Sequence, residues 1–274
     1  MTVLVTGAKG NVGRHVVKEL LSGGHGVRAL TRDPASAAAV LPDAVEVATG
    51  DLAAPDSLAA ALEGVTALHL ITFDGGDGAP LRTGPQIARL AAKAGVRQVT
   101  MLWSGEPGPV EEAVAAEGLA WTTLQPQEFM SNALLWTDSV RDEGVVREPF
   151  GATRSAMIHE ADIGAVAART LTEDGHTGEE DVLTGPEVLD MPQKLAVLGE
   201  ALGRDIRFVE LTEQQARERM RQAGASQAAV DHVTGWYAAP PREAYTVTPT
   251  VERILGRPPR TFAQWARENA EAFR

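Results

Sequence analysis

Short apolar runs alternate with longer segments whose apolar residues recur three and four apart, and this rhythm organises the first half of the chain. Residues 2–6 (TVLVT), 26–31, 44–49, 67–72, 98–103 and 119–124 are brief, rich in Val, Leu and Ile, and followed by turn or capping residues, which predicts strands. Residues 11–24, 34–41, 55–64, 84–95 and 109–118 lie between them with helical spacing. Asp56 and Ser57 fall at a helix start, and Gly24, Gly64 and Gly95 fall where helix stops belong. Strands alternating with helices imply βαβ units and a doubly wound parallel sheet covered on both faces, an α/β fold.

After Pro126 the rhythm loosens. Residues 160–171 read as a helix, with Asp162 near its start as a cap. Residues 193–203 and 213–224 read as two more helices, with a strand at 205–211 between them. Phe262, Trp265 and Ala266 share one face of a predicted terminal helix over 261–273. The expected division is a sheet domain over 1–126 and a smaller mixed α/β lobe over 127–274, which exchanges segments with the main sheet.

Composition removes several function classes. The 274 residues carry a formal net charge of -12, and the only lysines, Lys9, Lys18, Lys93 and Lys194, are scattered. Nucleic acid needs clustered cations, so a nucleic-acid partner is not expected. Cysteine is absent, which excludes disulfides, thiolate metal sites and a cysteine nucleophile. His15, His25 and His69 have no ligand-like partners at useful spacing, so no metal site is expected. No secretory signal and no membrane-length apolar run is visible, so a soluble cytoplasmic protein is expected, as monomer or homodimer.

The stretch VTGAKGNVGRHVV, residues 5–17, places Gly7, Gly10 and Gly13 three apart, after a strand and before a helix. In a strand–turn–helix unit the first glycine permits a tight turn, the second lets backbone approach a diphosphate, and the third allows close helix–strand packing. This predicts a Rossmann-type dinucleotide-binding domain, with Gly7, Ala8, Lys9, Gly10, Asn11, Val12 and Gly13 around the diphosphate. The second strand ends ALTRDP, offering Arg32 and then Asp33. Arg32, with Lys9 nearby, suits the 2′-phosphate of NADP(H), preferred over NAD(H); pairing of Arg32 with Asp33 would leave the NAD reading open. Asp51 and Leu52 are expected at the adenine, and Thr72, Phe73 and Ser104 follow later strands of the same domain.

The T-G-x-x-G-x-x-G spacing at 6–13, the TRDP tip and the GDL turn resemble the extended or atypical short-chain dehydrogenase/reductase superfamily. Residues 118–132, 159–171, 183–204 and 254–273 resemble its NmrA-like branch, so the likeness spans essentially the whole chain. The resemblance implies an NADPH-dependent quinone or dye reductase, an isoflavone-type reductase, or a regulator that binds dinucleotide without turning it over.

The chain also departs from that pattern. Its two tyrosines, Tyr237 and Tyr245, have no Lys four residues on, no Lys lies between Lys93 and Lys194, and Gln125 stands where an Arg is usual. Ser104 is positioned like the family serine. The expectation is therefore hydride transfer to a quinone or similar conjugated aromatic acceptor, which needs positioning more than a strong acid. Trp103, Phe129, Met130, Trp136 and Trp236 are candidate walls for a flat substrate. Ser104, His159 and Tyr237 are the candidate catalytic groups, the last two as proton donors. A non-catalytic NADP(H) sensor that binds a protein partner is the alternative, and a tailoring reductase or epimerase a third.

Overall fold

The computed structural model describes residues 1–73, 80–103 and 108–274. In chain order its first elements are β1 (Thr2–Val5), α1 (Gly13–Ser22), β2 (Gly26–Thr31), α2 (Pro34–Ala38), β3 (Val45–Thr49), α3 (Ala59–Leu62), β4 (Ala67–Ile71), α4 (Gly84–Ala94), β5 (Gln98–Leu102), α5 (Pro109–Ala116) and β6 (Ala120–Pro126). Then come α6 (Thr137–Glu143), β7 (Val145–Glu148), α7 (Glu160–Thr172), β8 (Glu179–Leu183), α8 (Met191–Leu202), β9 (Arg207–Glu210), α9 (Glu213–Gln222), α10 (Gln227–Ala238), α11 (Thr250–Leu255) and α12 (Phe262–Glu268). They form two compact units: Met1–Pro126 with Glu160–Val182, and Gln127–His159 with Leu183–Arg274.

The first unit is built on a seven-stranded sheet of order β3-β2-β1-β4-β5-β6-β8. The pairings from β3 through β6 are all parallel, with Val3 opposite Val27 and Ala67, and His69 opposite Val5 and Thr100. Strand order reverses between β1 and β4, the switch point at which ligands of such sheets bind. Apolar runs such as ALHLI in β4 are buried on both faces because helices cover both. α7 comes so close to α1 that a Cβ on Gly164 would fall 2.5 Å from His15 Cβ. α4 and α5 join a core of Leu4, Leu68, Leu70, Ile87 and Val110.

The second unit packs Met130, Trp136, Leu195, Leu198, Phe262 and Trp265 around the short parallel pair β7–β9. Phe262 and Trp265 stack at 5.6 Å, and Trp265 meets Phe273 edge-on at 6.5 Å.

Several expectations change. The tail is not one helix over 261–273: α12 ends at Glu268, and Asn269, whose amide donates to Trp265 O at 2.9 Å, leads into a 3-10 turn over Ala270–Phe273. The strand at 119–124 runs from Ala120 to Pro126 instead. β8 is an additional sheet strand in a run, EEDVL, whose three acids mask the pattern. Asp162 occupies the third position of α7 and is wholly buried, with His159 preceding the helix.

Candidate functional site

The glycine-rich turn in the first unit has the geometry its sequence predicts. Thr6, at the end of β1, donates through Oγ1 to His69 O at 3.0 Å and accepts from Ile71 N at 2.9 Å, joining the ends of β1 and β4. Gly7 adopts φ +63°, a left-handed conformation that favours glycine. Gly10 N donates back to Gly7 O at 2.8 Å. A Cβ on Gly13 would lie 2.1 Å from that same oxygen, so only glycine lets α1 start against the turn. Ala8 and Val12 anchor the loop in the interior, while Lys9, Gly10 and Asn11 face outward. Among the described residues, the N–H groups of Val12 and Gly13 have no acceptor, and α1 has neither a side-chain cap nor an acid in its first turn. Unclaimed N–H donors at the positive end of a helix dipole fit a diphosphate.

The neighbouring strand ends supply the rest. Arg32 is exposed just beyond β2 and pairs with no carboxylate among the described residues. Asp33 is engaged as the N-cap of α2, accepting from Ser36 N at 3.1 Å. Lys9 Nζ donates to Ser36 Oγ at 3.0 Å, which brings a second cation over that helix start. Asp51 closes a local turn by accepting from Ala53 N at 2.9 Å, and Leu52 O accepts from Thr83 Oγ1 at 2.6 Å. Thr72 is buried, its hydroxyl donating to Leu102 O at 3.2 Å, and Phe73 bridges to Pro80. Trp103 is half-buried beyond β5; Ser104 lies outside the described residues.

The second unit contains a cavity of about 310 Å³. Leu135, Trp136, Phe150, Met191, Met220 and Val233 supply apolar wall, with Leu135 and Val233 exposed at 84% and 36%. Its polar lining centres on Glu128, which accepts from Lys194 Nζ at 2.7 Å and from Ser155 Oγ on Oε2, and from Tyr237 OH at 2.7 Å on Oε1. Burial, then the Glu128 charge, pushes the Tyr237 phenol well above its ordinary range, so it holds its proton. Glu148 accepts from Trp136 Nε1 at 3.2 Å and from Arg219 Nη2 at 2.6 Å, yet burial raises its carboxyl above the usual range.

The other predicted residues are spread through this unit. Met130 is buried in the core, and Phe129 is half-buried with a bridge to Ile158. Trp236 is half-buried, its ring edge-on to Tyr237 at 4.9 Å. His159 is 4% exposed, with Nε2 3.1 Å from Glu268 Oε2. Of the predicted residues, Trp136 and Tyr237 border the cavity. Sequence reasoning missed Glu128, Glu148, Lys194 and Arg219. Lys194 carried a readable sign: Met191, Leu195 and Leu198 place it on the apolar face of α8. Among the described residues no cluster of three or more His, Asp or Glu is arranged to hold a metal ion, and no helix is long and apolar enough to cross a membrane.

A parallel sheet with this glycine turn at its switch point defines the class as a Rossmann-type NAD(P)H-binding protein. Residues 7–109 match the NAD_binding_10 family model, described as NAD(P)H-binding. The chain is 34% identical to the NAD(P)H azoreductase of Xenophilus azovorans over an alignment of 284 positions, gaps included, covering 99% of both. It is 36% identical, over 99% of both chains, to the (4-alkanoyl-5-oxo-2,5-dihydrofuran-3-yl)methyl phosphate reductase of Streptomyces griseus. A crystal structure of an NADPH-dependent quinone oxidoreductase from Escherichia coli shares the fold, with a TM-score of 0.81 at 23% identity over 97% of this chain and 98% of that one. The chain belongs to the NAD(P)H-binding family of these two reductases, and its structural neighbours are NmrA-like, atypical short-chain dehydrogenase/reductase proteins.

Proposed function

We propose that this protein is an NADPH-dependent reductase that passes hydride directly to quinones or other conjugated aromatic acceptors, without a Tyr–Lys catalytic pair. The observation that carries the reading is its full-length likeness to two reductases. Their names specify, respectively, an azo group and an unsaturated furanone flanked by carbonyls. Both are electron-poor π systems that accept hydride and spread the resulting charge. NADPH, when bound, supplies the hydride from its nicotinamide ring.

The chain's own residues bind and orient. The amides at the start of α1 hold the diphosphate, and Arg32 meets the 2′-phosphate, because Asp33 is occupied as a helix cap. With a delocalised product anion the proton can come from water, which is consistent with a Tyr237 phenol that holds its proton tightly.

Mixing the purified protein with NADPH or NADH and a panel of quinones and azo dyes, while following nicotinamide absorbance, tests the reading. Oxidation that prefers NADPH is expected. A protein that binds NADPH yet oxidises it with no acceptor would instead be a sensor, the second reading, which the lack of any Lys four residues after Tyr237 or Tyr245 favours. Calorimetry would then show different affinities for NADP⁺ and NADPH.

A further inference from the structure

The helices α9 and α10 form a hairpin that is fastened to the rest of the second unit more loosely than its neighbours are. α8 buries Met191, Lys194, Leu195, Leu198 and Gly199. α9 buries only Ala216, and α10 only Val230 and Thr234. The two helices pack chiefly against each other. Arg217 braces them, bonding Glu213 on its own helix and Asp231 on the next, and Arg221 reaches Gln227 across the turn at 3.2 Å. The hairpin forms one wall of the cavity of about 310 Å³, through Ala216, Arg219, Met220, Val233, Thr234 and Tyr237. A wall that faces space forgoes the dispersion contacts that hold a packed helix down.

The polar ties are concentrated at the two roots of the hairpin. Just before α9, Leu211 N donates to Glu148 O at 3.0 Å. Near the end of α10, Tyr237 OH donates to Glu128 at 2.7 Å, and Tyr237 O accepts from Thr153 Oγ1 at 2.8 Å. Between these roots, among the described residues, Arg219 alone hydrogen-bonds the hairpin to the rest of the unit. Its Nη2 donates to Glu148 Oε2 at 2.6 Å and its Nη1 to the Arg147 carbonyl. The Arg219 side chain is 46% exposed, so solvent screens this tie. Burial keeps the Glu148 carboxyl above its usual range even beside Arg219, so closing over that charge costs desolvation that the pair only partly offsets.

We propose that the α9–α10 hairpin is a lid on this cavity, hinged at its two pinned roots and latched by Arg219, and that a small, largely apolar molecule enters when it swings open. The motion breaks one half-exposed ion pair and its companion bond to a carbonyl, and leaves the hydrogen bonds within both helices intact. Such an element belongs to the low-stability end of a fold, where few apolar contacts are lost on opening. The lid concerns the second unit alone and holds whether or not the protein oxidises NADPH.

The chain contains no cysteine, so a single introduced thiol reports on a single place. Ala216 is 2% exposed on the cavity wall. In full-length Ala216→Cys, the thiol should react with 4,4′-dithiodipyridine, a small neutral aromatic disulfide, when the lid is open. Its rate should be nearly independent of urea below the unfolding transition, because a hinge motion exposes little new surface; a thiol reached only through global unfolding reacts faster in step with urea. Adding Arg219→Met should raise the rate about three- to tenfold, the worth of a half-exposed charge-assisted bond. A rate that climbs with urea along the global unfolding free energy overturns the lid. So does a rate that Arg219→Met changes by less than about twofold, since the latch would then hold nothing. Should Ala216→Cys not fold, Thr234→Cys, 2% exposed on the α10 side of the same wall, carries both measurements with the same outcomes.

Discussion

Lys194 Nζ lies 2.7 Å from Glu128 Oε2, with side chains only 2% and 3% exposed, although 66 residues separate the two in the chain. Removing one partner strands the other in a dry interior. Lys194→Ala or Glu128→Ala should each lower unfolding free energy by about 3–5 kcal/mol, whereas Lys194→Met/Glu128→Leu should cost much less. Urea unfolding of the three variants checks this, and additive losses would show that the pair is not coupled.

The Gly13 position tests the cofactor turn. Gly13→Ala places a methyl 2.1 Å from Gly7 O, so the turn must open or α1 must shift. NADPH affinity should fall about tenfold or more, with circular dichroism showing the fold retained. Affinity equal to the parent's would mean that the turn does not hold the diphosphate.

Arg32 tests nucleotide choice. Arg32→Ala should weaken NADPH by about 10- to 100-fold, the worth of a charge-assisted contact, and leave NADH nearly unchanged. Parallel titrations measure both; equal losses for the two nucleotides would remove Arg32 from the 2′-phosphate.

His69 predicts an acid limb in stability. Burial alone lowers its imidazole from 6.5 to about 4, and neither ring nitrogen has a partner among the described residues. Between those two values the unfolded chain binds a proton that the folded protein refuses. Stability therefore falls as pH drops from 6.5 toward 4, by roughly 3 kcal/mol in all. His69→Leu should flatten that limb in chemical denaturation series, and an unchanged slope would assign it to other groups.

Much of the first unit is legible in the sequence because its information is local. β1 to β5 lie within the predicted runs, since a strand covered on both faces must be apolar throughout, and Gly7, Gly10 and Gly13 announce their turn by spacing alone. β8 escaped because EEDVL is mostly acidic, with Glu179 and Glu180 exposed. β7 (VVRE) is four residues long and partnered by β9 some sixty residues later, so no local pattern betrays it.

The glycines, the Arg32–Asp33 pair and the alternation of strands and helices are determined by the chain itself, since each acts through neighbours a few residues away. Whether Asp33 pairs with Arg32 is open in the sequence; the folded chain instead uses Asp33 as the N-cap of α2, a role the sequence reading did not raise. The cavity of the second unit belongs wholly to tertiary structure. Glu128, Lys194 and Tyr237 come from three distant segments, and only folding brings a carboxylate, an ammonium and a phenol to within hydrogen-bonding distance. The apolar face of α8 marks Lys194 as an inward position, but its partners are set by long-range packing, and no local pattern names them.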